Sequence, residues 1–304
     1  MTVASSALVP ASTGTALGLR EVVGLFKLRI GVFIMLTALV GYMVTPGPGP
    51  GALQVVVLAL SVLLASASAG IFNQYAEAPM DRLMARTRNR PFATGALRRD
   101  PAWLWLMAGM LGLAVGAAWW TTNAVAAFYV FLGAFFYGVV YTLWLKRRTS
   151  LNIVVGGLAG SFAALAGAAA VDPDVGVHGW LLALVLFLWT PPHFWSLAIA
   201  GQADYAAAGV PMLPVVVGTE RAARIVYASV VALVVASLLP MLFGAGWVYL
   251  GGALGGGLYF AFKARALAAA PGRATAIGSF LASLVQLGVL LAAASIDATM
   301  RWYT

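Results

Sequence analysis

Phe72-Asn73-Gln74-Tyr75-Ala76-Glu77-Ala78-Pro79-Met80-Asp81-Arg82-Leu83-Met84-Ala85-Arg86-Thr87-Arg88-Asn89-Arg90-Pro91 decides how this chain folds. It follows directly on the apolar run Leu53–Phe72, about twenty residues and so long enough to cross a bilayer as a helix. It carries an amide and two carboxylates at intervals of four, then a cluster of arginines. On a helix that interval puts Asn73, Glu77 and Asp81 in one row on successive turns. Oxygen donors in a row beside arginines suit a diphosphate carried by a hard divalent cation. Pro79 lacks a backbone donor and crowds the Tyr75 carbonyl. It predicts a bend that leaves Glu77 on a helix end and Asp81 in the loop beyond.

Outward from this stretch, the chain is 62% hydrophobic and 9% charged. A soluble domain carries about 25% charged residues, so the deficit marks an integral membrane protein in contact with the lipid bilayer. Without cysteine the chain can have neither disulfides nor thiolate catalysis. A net charge of +9 is compatible with nucleic acid, but the basic residues lie in separate loops of a membrane protein and not on one compact soluble face, so no nucleic-acid partner is expected. Residues 1–19 are rich in Ala, Ser and Thr, with no basic start and no apolar core. They read as a mobile tail and not a cleaved signal, ahead of one transmembrane domain over 20–304.

Hydrophobic spans fall at Ile30–Val44, Leu53–Phe72, Pro101–Trp120, Ala124–Leu145, Leu151–Val171, Trp180–Ala200, Ala222–Phe243, Trp247–Phe262 and Ala276–Ser295. They predict an all-α polytopic bundle of nine transmembrane helices. The connections alternate between loops without Lys or Arg and loops rich in them, so that every basic residue except Arg301 falls on one side. The positive-inside rule then puts the N-terminus in the cytoplasm and the C-terminus outside. Helices 2 and 6 both end on the cytoplasmic side, which brings Glu77 and Asp81 to the same face as Asp204.

A second landmark is Trp189-Thr190-Pro191-Pro192-His193-Phe194-Trp195, leading through Asp204-Tyr205 to Pro214. Two consecutive prolines remove two donors within a span and predict a break or kink, with a cavity at the freed carbonyls beside His193.

With both stretches in view, the chain resembles the UbiA superfamily of intramembrane prenyltransferases, and within it the protohaem IX farnesyltransferases. The likeness rests on Asn73-x-x-x-Glu77-x-x-x-Asp81-x-x-Met84-x-Arg86-Thr87-x-x-Arg90-Pro91, on Tyr141-Thr142-Leu143-Trp144-Leu145-Lys146-Arg147-Arg148-Thr149 with Asn152 to Gly157, and on Pro191 to Trp195 with Asp204-Tyr205. It implies transfer of farnesyl from farnesyl diphosphate to a haem B vinyl group, with water added, giving haem O in the inner membrane with the active site facing the cytoplasm. It also implies haem A synthase or a terminal oxidase as an assembly partner. By position, Asn73, Glu77, Asp81 and Asp204 carry the Mg2+ and diphosphate role. Arg82, Arg86, Arg90, Lys146 and Arg147 are candidates to stabilise the departing diphosphate. Tyr141, Trp144, Phe194, Trp195 and Tyr205 are candidates to shelter the allylic cation, and His193 to ligate or orient the porphyrin.

Each residue also has a plainer reading. The carboxylates suit a solvated helix end, the basic residues a topology anchor drawn to anionic lipid, and the aromatics an interface belt. His193 suits a packed histidine bonded to a backbone carbonyl. Two other functions stay open: a haem-handling membrane protein or transporter that does no chemistry, and a prenyltransferase acting on a quinone precursor.

Overall fold

The computed structural model describes residues 19–302, so all but the last residue of the tail expected over residues 1–19 lies outside it, and Leu19 opens the first helix. All regular structure among these residues is helical. Each expected span falls on a helical stretch: α2 (Leu28–Val44), α3 (Ala52–Asp81), α5 (Ala102–Thr121), α6 (Ala124–Phe135) continued by a π-helical segment (Phe136–Leu145), α7 (Asn152–Gly156) with α8 (Leu158–Val171), α9 (Gly176–Ala200), α12 (Thr219–Ala236) with a 3-10 turn (Leu239–Phe243), α13 (Trp247–Ala269) and α14 (Arg273–Trp302). Short helices α1 (Leu19–Leu25), α4 (Pro91–Thr94), α10 (Gln202–Ala207) and α11 (Leu213–Val217) lie between them. Seven of the described stretches are long and apolar enough to cross a membrane. α2 has only 17 residues. α13 is long enough but is not among the seven, its apolarity diluted by glycines, Lys263 and Arg265.

Successive stretches are neighbours, from α2 against α3 and α3 against α5 round to α13 against α14. α14 returns to α2 and closes the ring. Small residues set the tightest crossing. A Cβ on Gly41 of α2 would fall on the Ala164 carbonyl, and one on Gly167 of α8 on the Ala38 carbonyl, so these helices meet backbone to backbone. Two cores result, one among α3, α5, α6 and α8 and the other among α9, α12, α13 and α14. At one end of the second core the buried Asp297 of α14 starts a neighbouring helix. Its carboxylate accepts from the Gly246 amide at 2.9 Å and the Tyr249 amide at 3.3 Å, and pairs with Arg301 at 3.1 Å. It thereby caps the donors that open α13.

Neither expected proline break occurs. α3 runs through Pro79 to Asp81, because a proline in the last turn removes one bond, and the Thr87 hydroxyl then donates to the Asp81 carbonyl. α9 runs unbroken through Pro191 and Pro192, both buried. Thr190 and Ser196 hydroxyls donate to the Leu186 and Pro192 carbonyls on either side, and the neighbouring helices hold the rest in place.

Candidate active site

With α3 intact, Asn73, Glu77 and Asp81 stand in one row, each at most 3% exposed. Two buried carboxylates must be paired or they would surrender their charge. Each finds a cation from another part of the chain. Lys146 Nζ lies 2.5 Å from Glu77 Oε1, and Arg90 lies 2.8 Å from Asp81 Oδ2. Asn73 accepts from Lys27 Nζ at 2.6 Å and donates to the Thr142 hydroxyl at 3.1 Å.

Three local devices deliver these partners. Beyond α3 the chain folds back through the Arg82–Arg90 loop. Arg82 is spent on the Ala93 carbonyl at 2.8 Å, which leaves Arg90 for Asp81. Ahead of α2, Lys27 adopts the left-handed conformation with φ 47°, uncommon for any residue but glycine. That turn aims its amine at Asn73 and at the Tyr137 hydroxyl, 3.0 Å away. Burial of the amine, with Arg90 nearby, lowers the Lys27 pKa to about 7 against the opposing pull of Glu77 and Asp81.

The third device is the π-helical segment. In an α-helix, residues nine apart are two and a half turns apart and face opposite ways. Bonding from i to i+5 widens the turn and brings them back to one face. Tyr137 and Lys146 are nine apart, and both line the cavity: Lys146 meets Glu77 of the α3 row, and Tyr137 meets Lys27, the partner of Asn73. Lys146 N donates to the Tyr141 carbonyl, five residues back. Between them Thr142 reaches Asn73, and Tyr141 stacks on Tyr137 with ring centres 5.9 Å apart.

These groups line a cavity of about 850 Å3. Along α3 its lining extends from Val62 to Asp81, about 28 Å at 1.5 Å per residue. The Asp81 end is polar, with Lys27, Arg86, Arg90, Lys146 and Tyr205; burial raises the Tyr205 pKa although Arg86 donates to its oxygen. The remainder is apolar, with Ile30, Phe33, Ile34, Val130, Phe194, Leu197 and Leu284 on its walls and His193 among them.

Of the residues singled out from sequence, Asn73, Glu77, Asp81, Arg86, Arg90, Tyr141, Lys146, His193, Phe194 and Tyr205 meet in this cavity. Arg82, Trp144, Arg147, Trp195 and Asp204 are not among its lining residues. Trp144 and Arg147 are exposed, and Trp195 is buried in the α9–α14 core. On the short α10 consecutive residues point about 100° apart. Tyr205 therefore faces inward, while Asp204 stays partly exposed. Among the described residues no three His, Asp or Glu side chains are grouped as a metal site. Glu77 and Asp81, with the Asn73 amide, nonetheless suit Mg2+, which takes one or two carboxylates and completes its shell from substrate phosphate and water. Lys27, Tyr137, Thr142 and Gln74 had no place in the sequence-derived site. Gln74 donates to the Gly24 and Leu25 carbonyls and holds the turn carrying Lys27 against α3. The signal for Lys27 was its place just before the first span, where it counted only towards topology.

Residues 34–296 match the model of the UbiA prenyltransferase family. The chain belongs to the UbiA prenyltransferase family. Within the UbiA family, it is 54% identical over 279 residues to protoheme IX farnesyltransferase 2 of Paramagnetospirillum magneticum, covering 92% of this chain and 97% of that one. To protoheme IX farnesyltransferase 1 of the same organism it is 48% identical over 224 residues, 73% of this chain and 77% of that one. In fold it is similar to a digeranylgeranylglyceryl phosphate synthase, with a TM-score of 0.75 at 19% identity over 93% of this chain and 99% of that one. A UbiA homologue from Archaeoglobus fulgidus solved with DMAPP and Mg2+ superposes with a TM-score of 0.72 at 18% identity, over 89% and 99% of the two chains. The UbiA fold and its apolar helices make this a multi-pass membrane protein.

Proposed function

We propose that this protein transfers a farnesyl group from farnesyl diphosphate to a vinyl group of haem B, making haem O and releasing diphosphate. The observation that carries the reading is the pair of buried carboxylates on α3, each held by a cation from another element, at the polar end of a long apolar cavity. A diphosphate fits the polar end and an isoprenoid tail the rest. The relatives named as protoheme IX farnesyltransferases supply the acceptor.

In this reading Asn73, Glu77 and Asp81 would hold Mg2+, which when bound would supply positive charge to the diphosphate leaving group. The chain's own cations do the rest of that work. Lys27, Arg90 and Lys146 are already aimed at the row, and Arg86 lines the same polar end beside Tyr205, so they meet the leaving oxygens with little reorganisation. Tyr141, Phe194 and Tyr205 keep water from the farnesyl cation and offer aromatic faces to it. The terminal vinyl carbon bonds to the farnesyl carbon, and the cation left beside the pyrrole takes a water oxygen and loses a proton. Asp204 lies off the cavity wall and joins the metal site only if diphosphate draws α10 inward. By charge asymmetry the Asp81 end faces the cytoplasm and the C-terminus lies outside, and the family resemblance puts the protein in the inner membrane.

The test is to purify the protein in detergent, supply haem B, farnesyl diphosphate and Mg2+, and look for farnesylated haem by mass spectrometry. Product from the parent and none from Asp81→Asn is the expected result. Haem binding without product from the parent would overturn the enzymatic reading in favour of haem handling.

A further inference from the structure

Once the terminal vinyl carbon has bonded to farnesyl, a cation is left on the carbon beside the pyrrole. The water that captures it must give up a proton, so the last step needs a base. Glu77 and Asp81 are engaged by Lys146 and Arg90. Across the cavity, among the α9 and α14 residues of the lining, His193 is the polar one.

The contacts of its ring fix where the lone pair points. His193 Nδ1 lies 2.6 Å from the Ser283 hydroxyl oxygen, and the same hydroxyl donates to the Phe280 carbonyl at 2.5 Å. A hydroxyl has one proton to give, and a carbonyl has none. The Ser283 proton is therefore committed to Phe280, and the contact with His193 is made by Nδ1–H donating to Ser283. Among the described residues no carboxylate pairs with His193, and apolar surroundings disfavour a charged ring. The proton is on Nδ1, and the lone pair is on Nε2.

The ring is also held on both faces. Trp189 stacks on one side with centres 4.2 Å apart and planes 20° apart, and Phe280 lies on the other at 4.7 Å and 30°. Trp189 is fixed in turn, its indole N–H donating to the Ser283 carbonyl at 2.9 Å. With Nδ1 turned to α14 and both faces covered, the edge left to the cavity is that of Nε2. Ala198, five residues along α9, packs with Met80 and Met84 beside Asp81. His193 is thus about 7 Å deeper than the carboxylate end. One carbon–carbon bond and one water lie between the carbon that leaves the diphosphate and the base, which puts that base a few ångströms inward of the diphosphate.

We propose that His193 Nε2 is the general base for the water that closes the reaction. A water lone pair forms the bond to the cationic carbon while one water proton passes to Nε2. A hydroxyl is left on carbon and an imidazolium at His193. The positive charge moves from carbon to nitrogen and none is created, so the apolar wall takes up no extra charge. Ser283, Trp189 and Phe280 are positioning residues that keep the lone pair on Nε2 and the ring in place. This rests on the farnesyl-transfer reading above, and assigns the proton that the reading leaves without an acceptor.

The test reads which product forms. The full-length protein, purified in detergent on a tag without histidine and in buffers without imidazole, is given haem B, farnesyl diphosphate and Mg2+ in heavy-oxygen water. The farnesylated haems are resolved by mass spectrometry, and haem B binding is followed separately by the Soret band. The parent is expected to give the hydroxylated product with the label in its new hydroxyl. His193→Ala and His193→Gln are expected to bind haem B as the parent does, but to shift about tenfold or more towards a product lighter by one water. An uncaptured cation loses a proton from the adjacent carbon and closes a double bond there. Added imidazole is expected to restore the hydroxylated product in His193→Ala, where it has room, and not in His193→Gln. Hydroxylated product in the parent's proportion from both variants would overturn the assignment and leave the proton to the diphosphate. Loss of both products without rescue by imidazole would also overturn it. So would a histidine-ligated iron spectrum in the parent that His193→Ala removes, since a lone pair bound to iron takes no proton. These three outcomes leave farnesyl transfer by the parent standing, whereas a parent that makes no farnesylated haem of either kind would overturn both.

Discussion

The two polar walls of the cavity are built on different chemistry. On the α3 side Glu77 and Asp81 meet Lys146 and Arg90, and the Asn73 amide meets Lys27. On the α9–α14 side only His193 of the polar groups reaches the cavity, and the contacts lie behind the wall: His193 meets Ser283, Ser196 meets Ser279 at 2.9 Å, and Trp189 meets a backbone carbonyl. Cations facing carboxylates can turn to phosphate oxygens when a divalent cation takes over the carboxylates, so that no charge is left stranded. Neutral partners in apolar surroundings have nothing else to turn to, so their geometry is fixed. The first wall is suited to receiving and releasing charge, and the second to holding a flat ligand in one orientation.

The comparison can be broken by removing one partner at a time. The largest effect is expected for Lys146→Met, which leaves Glu77 buried and unpaired. About 3–5 kcal/mol of stability should be lost, read from unfolding in detergent. Adding Glu77→Gln should recover most of that stability and none of the activity. Recovery of neither would mean that the pair is not a closed unit. Next come Asp81→Asn and Glu77→Gln alone, with product formation expected to fall on the order of 10²–10³-fold. Full activity in both would remove the charge-receiving role from this wall. Ser283→Ala strands the His193 Nδ1–H and should cost about 1–3 kcal/mol, with haem binding weakened more than donor binding. An equal loss for both substrates would erase the division between the walls. Asp204→Asn is expected to do least, under about tenfold in product formation, a difference worth about 1.4 kcal/mol. A loss as large as that of Asp81→Asn would show that α10 turns inward on the loaded site.

The charged wall was largely legible in the sequence, and the neutral wall was not. Charges are rare in an apolar chain, so the Asn73, Glu77, Asp81 spacing and the arginines after it stood out. Arg90 and Lys146 were among the candidates, but their pairing with the carboxylates was not legible and Lys27 was missed, because Lys27 and Lys146 approach from 46 and 69 residues away. The π-helical turn left no trace either, since residues facing lipid and residues facing the cavity are alike apolar. Pro79, Pro191 and Pro192 were read as breaks because local rules count the lost bonds and cannot count the packing that tolerates them. Asp204 matched its motif by position, yet a short helix decides which of two neighbours points inward. Ser279 and Ser283 carry no signal of their own on an apolar helix, because their partners His193 and Ser196 lie on α9.

The cap on α13 bears on how the protein is made. The Gly246 amide waits for a carboxylate 51 residues further along the chain. During synthesis α13 leaves the ribosome first, with its opening donors unsatisfied, and gains its acceptor only when the 51 residues to Asp297 have followed. The last two long helices therefore mature as one hairpin, and a chain cut short before Asp297 ends with a helix whose first turn has no cap.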